Sequence, residues 1–166
     1  RDWIAPAELL GAAVRRLARA FPAQPVLLSV PADLPLLFVH PALVEQAFFN
    51  ILENAARFSP PGQPVEVSAQ RLDEGETGWL QVDLDDRGPG IPEAERQRVF
   101  DPFYSVSRGD RAGRGTGLGL SICQGMIGAH GGSVAALPGP AGAGTRIRVR
   151  LPLSAEPSRL PASSLP

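Results

Sequence analysis

Between Ala42 and Phe58 the apolar residues Leu43, Ala47, Phe48, Ile51, Leu52 and Ala55 return every three or four positions, and "SPPG" stops the run. Such a stripe predicts an amphipathic helix with Pro41 in its first turn, and that helix needs an apolar surface to lie on. The chain supplies one immediately. "VEVSAQRL" and "WLQVDLDD" cluster or alternate apolar residues on either side of "DEGETG", the pattern of an antiparallel hairpin. A strong helix followed at once by a hairpin restricts the fold to layered arrangements in which helices cover a sheet.

The flanking segments fit the same plan. Residues Pro6 to Ala20 carry Leu9, Leu10, Ala13, Val14 and Leu17 at helical spacing, with Arg15, Arg16 and Arg19 mostly opposite. "VLLSV" and "LLFV" around "PADLP" read as short extended pieces, and a short helix is expected near Glu93 to Val99 after the loop "RGPGIP". Residues 103–117 have the glycine- and arginine-rich composition of a mobile loop, and a helix is predicted from Leu118 to about Ala129. "SVAAL" and "TRIRVRL" read as closing strands around "PGPAGAG", and the residues after Pro152 are expected to form a disordered tail. No internal repeat is visible. The fold class expected is α/β, a two-layer sandwich with a mixed, mostly antiparallel sheet and helices on one face, occupying residues 1–152.

With 166 residues the chain fits one domain, and its 43% hydrophobic content suffices for one core. A formal net charge of −1 argues against a protein whose main task is to grip nucleic acid or an anionic membrane surface. All 16 basic residues are arginine, which excludes a Walker-type phosphate loop because that loop needs its lysine. Cys123 is the only cysteine and sits in an apolar run, so it reads as a core residue. No apolar run approaches the roughly 18 residues of a membrane span. The chain opens on "RDWIAPAELL" without a methionine, as a piece of a longer protein would.

Three groups of residues could carry chemistry. Asn50, Asn54 and Arg57 are spaced four and three apart, so they share one helix face. A solvated face is the ordinary reading of such a triplet, but asparagine is a poor helix former and two inside a strong helix call for a reason. Amide oxygens can ligate a hard cation such as Mg²⁺, and a guanidinium can pair with phosphate. "DDRGPG", residues 85–90, ends a strand. There a carboxylate can accept from an exocyclic amine while Gly88 and Gly90 let backbone approach a flat ring. Finally "GRGTGLGLSIC" places a glycine at every second position from Gly113 to Gly119 and then enters a helix, a form that can offer backbone N–H groups to a phosphate.

"NILENAARFSP", "DDRGPG", "FDPFY" and "GRGTGLGL", in this order and at these separations, resemble the N box, first glycine box, F box and second glycine box of sensor histidine kinase ATP-binding domains. These domains belong to the gyrase, Hsp90, histidine kinase and MutL superfamily and share the Bergerat-type ATP-binding fold. The resemblance covers roughly residues 25–152. It is closer still to Kdp-type, potassium-responsive sensor kinases through "PADLPLLFVHPALVEQAFFNILENAARFSPPG" and "GTGLGLSICQGMIGAHGG".

The resemblance implies ATP and Mg²⁺ as cofactors. Asn50 and Asn54 would hold the metal and phosphates. Arg57, standing where relatives carry lysine, would bind phosphate and, with Asn50, serve catalysis. Phe58 would lie beside adenine, Asp86 would take the adenine amino group, and Gly88 and Gly90 would shape that pocket. Gly115, Thr116, Gly117, Leu118 and Gly119 would form the lid over the phosphates. The γ-phosphoryl group would go to a histidine on a separate dimerisation domain of the same protein, and from there to a response regulator. His40, at a helix start, is expected to cap it, and His130, before a tight turn, to serve structure; neither has acceptor surroundings. The chain is therefore not expected to phosphorylate itself. It is expected to be the cytoplasmic domain of a bacterial inner-membrane protein, with no nucleic-acid partner and no membrane contact of its own. Two other functions compete. A gyrase- or Hsp90-type ATPase would place a glutamate four residues before the metal-binding asparagine, where Asn50 stands, although Glu53 is nearby; a nucleotide-binding signalling module would lack catalysis altogether.

Overall fold

The computed structural model describes residues 1–102 and 119–155. In chain order the elements are β1 (Asp2–Ile4), α1 (Pro6–Ala20), β2 (Val26–Ser29), β3 (Leu37–Val39), α2 (Pro41–Phe58), β4 (Val65–Leu72), β5 (Trp79–Asp86), α3 (Gly119–Gly128), β6 (Ser133–Pro138) and β7 (Thr145–Pro152). Five strands form one sheet in the order β2-β4-β5-β7-β6, with β2 parallel to β4 and every other pairing antiparallel. β1 and β3 make a separate antiparallel pair in which the Trp3 and Phe38 rings pack 5.0 Å apart.

Both long helices begin with proline at the first helical position, where the missing N–H costs no hydrogen bond. α1 buries Leu9, Leu10, Ala13 and Leu17, and α2 buries Val44, Ala47, Phe48, Ile51, Leu52 and Ala55. They meet the alternating inward residues of the sheet: Val65 and Val67, Leu80, Val82 and Leu84, and Ile147, Val149 and Leu151. Each such side chain stabilises the fold by about 1.5–3 kcal/mol, so this single layer of contact dominates the energetics.

The helix-free face of the sheet is charged. Register places Gln81 opposite Arg150, Asp83 opposite Arg148 and Asp85 opposite Arg146. Arg146 grips Asp85 through Nε and a terminal nitrogen at 2.7 and 2.9 Å, Arg148 grips Asp83 at 2.9 and 3.2 Å, and Arg150 donates to Gln81 Oε1 at 3.0 Å. The arginines lie over the carboxylates, which is why β5 is buried on both sides. The hydrogen bond to Asp85, with the charges of Asp85 and Asp83, holds the Arg146 pKa above its ordinary value against the opposing effect of burial.

Four expectations change. Leu43 is 43% exposed and Val44 takes its place in the buried stripe. The region of Glu93 to Val99 forms two 3-10 turns, Glu93–Glu95 and Arg98–Phe100, in place of a helix. Leu153, assigned to the tail, is 4% exposed and donates its N–H to the Gly78 carbonyl, because the strand partner of β7 runs past Pro152. His40 makes no side-chain cap on α2: its ring is exposed and its backbone N–H goes to His130. The expected loop at 103–117 lies outside the described residues, as do residues 156–166 of the expected tail.

Candidate nucleotide site

α2 presents its polar face as a column longer than the sequence triplet. Gln46 Nε2 donates to Asn50 Oδ1 at 2.7 Å, and Arg57 donates to Glu53 Oε1 at 3.2 Å. Each pair is one helical turn apart, so the bonds brace the side chains along the helix. Asn50 Nδ2 also donates to the Gly119 carbonyl at 3.3 Å, bringing the first residue of α3 against the column. Gln46 is absent from the sequence reading, although its four-residue spacing from Asn50 is visible there, and Glu53, considered there only as a possible base, is here the partner of Arg57.

The second wall stands at the end of β5. Asp86 is buried, and its Oδ1 accepts from the Gly88 N–H at 2.9 Å and from the Thr145 N–H at 3.3 Å. Two backbone donors on one oxygen fix the carboxylate orientation. Thr145 is 1% exposed, and its hydroxyl finds no hydrogen-bond partner among the described residues. A buried hydroxyl without a partner is costly, so it marks a place where a ligand or water completes the network. Thr145 was read only as the start of a strand. Nothing local reveals it, because it reaches Asp86 through pairing across 59 positions.

Gly88 and Gly90 owe their identity to the protein's own backbone. A Cβ on Gly88 would stand 2.6 Å from the Phe58 carbonyl oxygen, and Gly90 has φ +80° with the Gly144 carbonyl 3.2 Å from a would-be Cβ. The first contact brings the β5 loop against the last residue of α2, so the Asp86 wall and the C-terminal end of α2 meet at one corner. Phe58 is half-buried at this corner. Gly115, Thr116, Gly117 and Leu118 lie outside the described residues, and Gly119 stands beside Asn50. Among the described residues no cluster of three or more His, Cys, Asp or Glu side chains could hold a metal by itself. The column offers amide oxygens, which suit a hard cation whose remaining ligands come from phosphate and water.

Residues 39–155 match the family described as histidine kinase-, DNA gyrase B-, and HSP90-like ATPase. Sensor protein KdpD of Escherichia coli (strain K12) is 36% identical over 157 residues, 95% of this chain and 17% of that protein, so the chain spans about a sixth of that relative. Among solved structures, the mycobacterial sensor histidine kinase MprB superposes with a TM-score of 0.77 at 29% identity, over 93% of this chain and 99% of that one. Full-length ShkA in complex with AMPPNP superposes with a TM-score of 0.75 at 25% identity, over 93% of this chain and 31% of that one. The chain belongs to the histidine kinase-, DNA gyrase B- and HSP90-like ATPase family, and within it is an ATP-binding catalytic domain of the sensor histidine kinase kind.

Proposed function

We propose that the chain binds Mg-ATP between the Asn50 column and the Asp86 corner and delivers the γ-phosphoryl group to a histidine on a separate dimerisation domain of the same, longer protein. The observation that carries the reading is the buried Asp86 carboxylate held by the Gly88 and Thr145 N–H groups, with Thr145, its partner across the strands, carrying a buried hydroxyl that has no hydrogen-bond partner among the described residues. That arrangement suits an amino group next to a ring nitrogen, the edge that adenine presents. Asn50 and Asn54 supply amide oxygens for Mg²⁺, and the ion would neutralise phosphate charge. Arg57, swung from Glu53, pairs with phosphate oxygens, and Gly119, the first residue of α3, borders the phosphate end beside Asn50. Phe58 and Gly90 border the base.

Phosphoryl transfer asks chiefly for positioning and charge stabilisation, and this constellation provides both. The ATPase alternative needs a carboxylate to take a proton from water. Position 50, where that reading needs the carboxylate, is an amide. The identity with KdpD over almost the whole chain supports a Kdp-type parent: a potassium-responsive sensor in the bacterial inner membrane, with this domain on its cytoplasmic side and a response regulator downstream. Among the described residues no helix is long and apolar enough to cross a membrane.

The test mixes the chain with γ-labelled ATP, Mg²⁺ and the separately produced acceptor-histidine domain of its parent protein. Acid-labile label should appear on the acceptor and none on this chain. Steady phosphate release without acceptor would establish the ATPase reading in its place.

A further inference from the structure

His130 follows α3 and is only 6% exposed. Its Nδ1 lies 2.7 Å from the Met126 carbonyl oxygen, and its Nε2 accepts the His40 backbone N–H at 3.1 Å. A carbonyl can only accept and an N–H can only donate, so the ring is the neutral tautomer with its proton on Nδ1. The His40 ring meets it edge-on at 5.8 Å. One imidazole thus joins the last turn of α3 to the residue that opens α2.

The other end of α3 is tied to the same helix, because the Gly119 carbonyl accepts from Asn50 Nδ2. α3 therefore runs antiparallel to α2 with a hydrogen-bonded tie near each end. On α2 the ties stand ten residues apart, about 15 Å along the axis. Between them Cys123 and Ile127 are buried, smooth apolar contacts that resist separation far more than sliding. Directional bonds set the axial register, and the register decides where Gly119 meets Asn50.

We infer that His130 is a positioning residue for nucleotide binding: by locking α3 along α2 it holds Gly119 against Asn50. The inference rests on the proposed function and assigns a further residue to that same site. It also assigns His130 a role that requires no phosphorylation of its ring.

Glutamine can place Oε1 where Nε2 stands and so keep the bond from His40, whereas asparagine reaches only towards Met126. The experiment compares H130F, H130Q and H130N in the full 166-residue chain. Titration with ATP and Mg²⁺ is made well below each variant's melting temperature, and the side-chain amide resonance of Asn50 is recorded without nucleotide. H130F and H130N are expected to bind roughly tenfold more weakly than the parent, as misplacement within a site does. H130Q should recover to within about threefold, and the Asn50 resonance should move in the first two variants only. If H130F fails to fold, the contrast between glutamine and asparagine carries the test. Parent-like affinity in folded H130F or H130N, or an unmoved Asn50 resonance, overturns the inference. If the parent takes up no ATP at all, the proposed function falls, and the resonance alone decides the clamp.

Discussion

In the proposed function Asp86 is the acceptor that organises the site, and its surroundings let that role be separated from its role in folding. In D86N the amide oxygen can still accept the Gly88 and Thr145 N–H groups, while an amide N–H replaces the second carboxylate oxygen. A donor would then face the donor edge of adenine. The variant should stay folded and lose about 100-fold in ATP affinity by calorimetry, as sites do when a built hydrogen bond is reversed. T145V makes the complementary case, because valine keeps the shape and removes a hydroxyl with no partner among the described residues. Its melting temperature should hold or rise while ATP binding weakens; a fall in stability with unchanged binding would show that the hydroxyl serves the fold. At this scale the sequence was legible wherever chemistry and spacing coincide. Asn50, Asn54, Arg57 and Asp86 stand out by residue type and spacing; the structure sets Asn50 against Gly119 and ties Asp86 to the Gly88 N–H. Thr145 did not, since its meaning comes from strand register. His40 misled because proline after it implied a cap, yet the structure uses its backbone and leaves the ring exposed.

Elements show the same division. Periodicity located α1, α2 and the hairpin, since burial repeats with the period of each backbone. The error at Leu43 was avoidable: at 100° per residue it falls about 110° from the centre of the buried stripe, near the side that carries Asn50, while Val44 falls at the centre. The two 3-10 turns were not legible, because Pro92 and the charged run to Arg98 impose no period. The arginine ladder offers a test of pairing on the helix-free face. D83N should cost about 1 kcal/mol in urea unfolding, since the amide still accepts from Arg148. R148M should cost about 2–3 kcal/mol, because it leaves Asp83 buried with Arg146 only at 3.6 Å. Equal costs would mean that the pair is held by packing alone. α3 is intrinsically weak, a helix of ten residues with Gly125 in its interior at about 1 kcal/mol relative to alanine, so it depends on its contacts. Its packing can be followed through Cys123, whose burial pushes the thiol from 9.0 up to about 12. The raised value adds stability below about pH 9 that is lost as pH climbs towards 12, since only the unfolded thiol ionises in between. At neutral pH the thiol should resist iodoacetamide until the protein is unfolded; rapid alkylation of the native chain would contradict a packed α3.

Over the whole molecule, one layer of helices lies on one face of a mixed sheet, and the last residue of α2 meets the loop that follows β5. The four motifs, each short, are read together through their order and separations; "FDPFY" and "GRGTGLGL" fall partly outside the described residues, and the first residue of α3 lies against the Asn50 turn of α2. The N-terminal pairing of β1 with β3 was not foreseen, as three-residue strands carry too little pattern to detect. Its register depends on partners far apart in sequence, which a reading of local periodicity cannot supply. The central claim is that the Asn50 column and the Asp86 corner are one site that takes a magnesium-bound adenine nucleotide. Titration calorimetry of the chain with ATP, with and without Mg²⁺, tests it most directly. The account predicts saturable 1:1 uptake that tightens with Mg²⁺, is much weaker with GTP and is weakened about 100-fold in D86N; the absence of heat at millimolar ATP, or equal uptake by D86N, would contradict it.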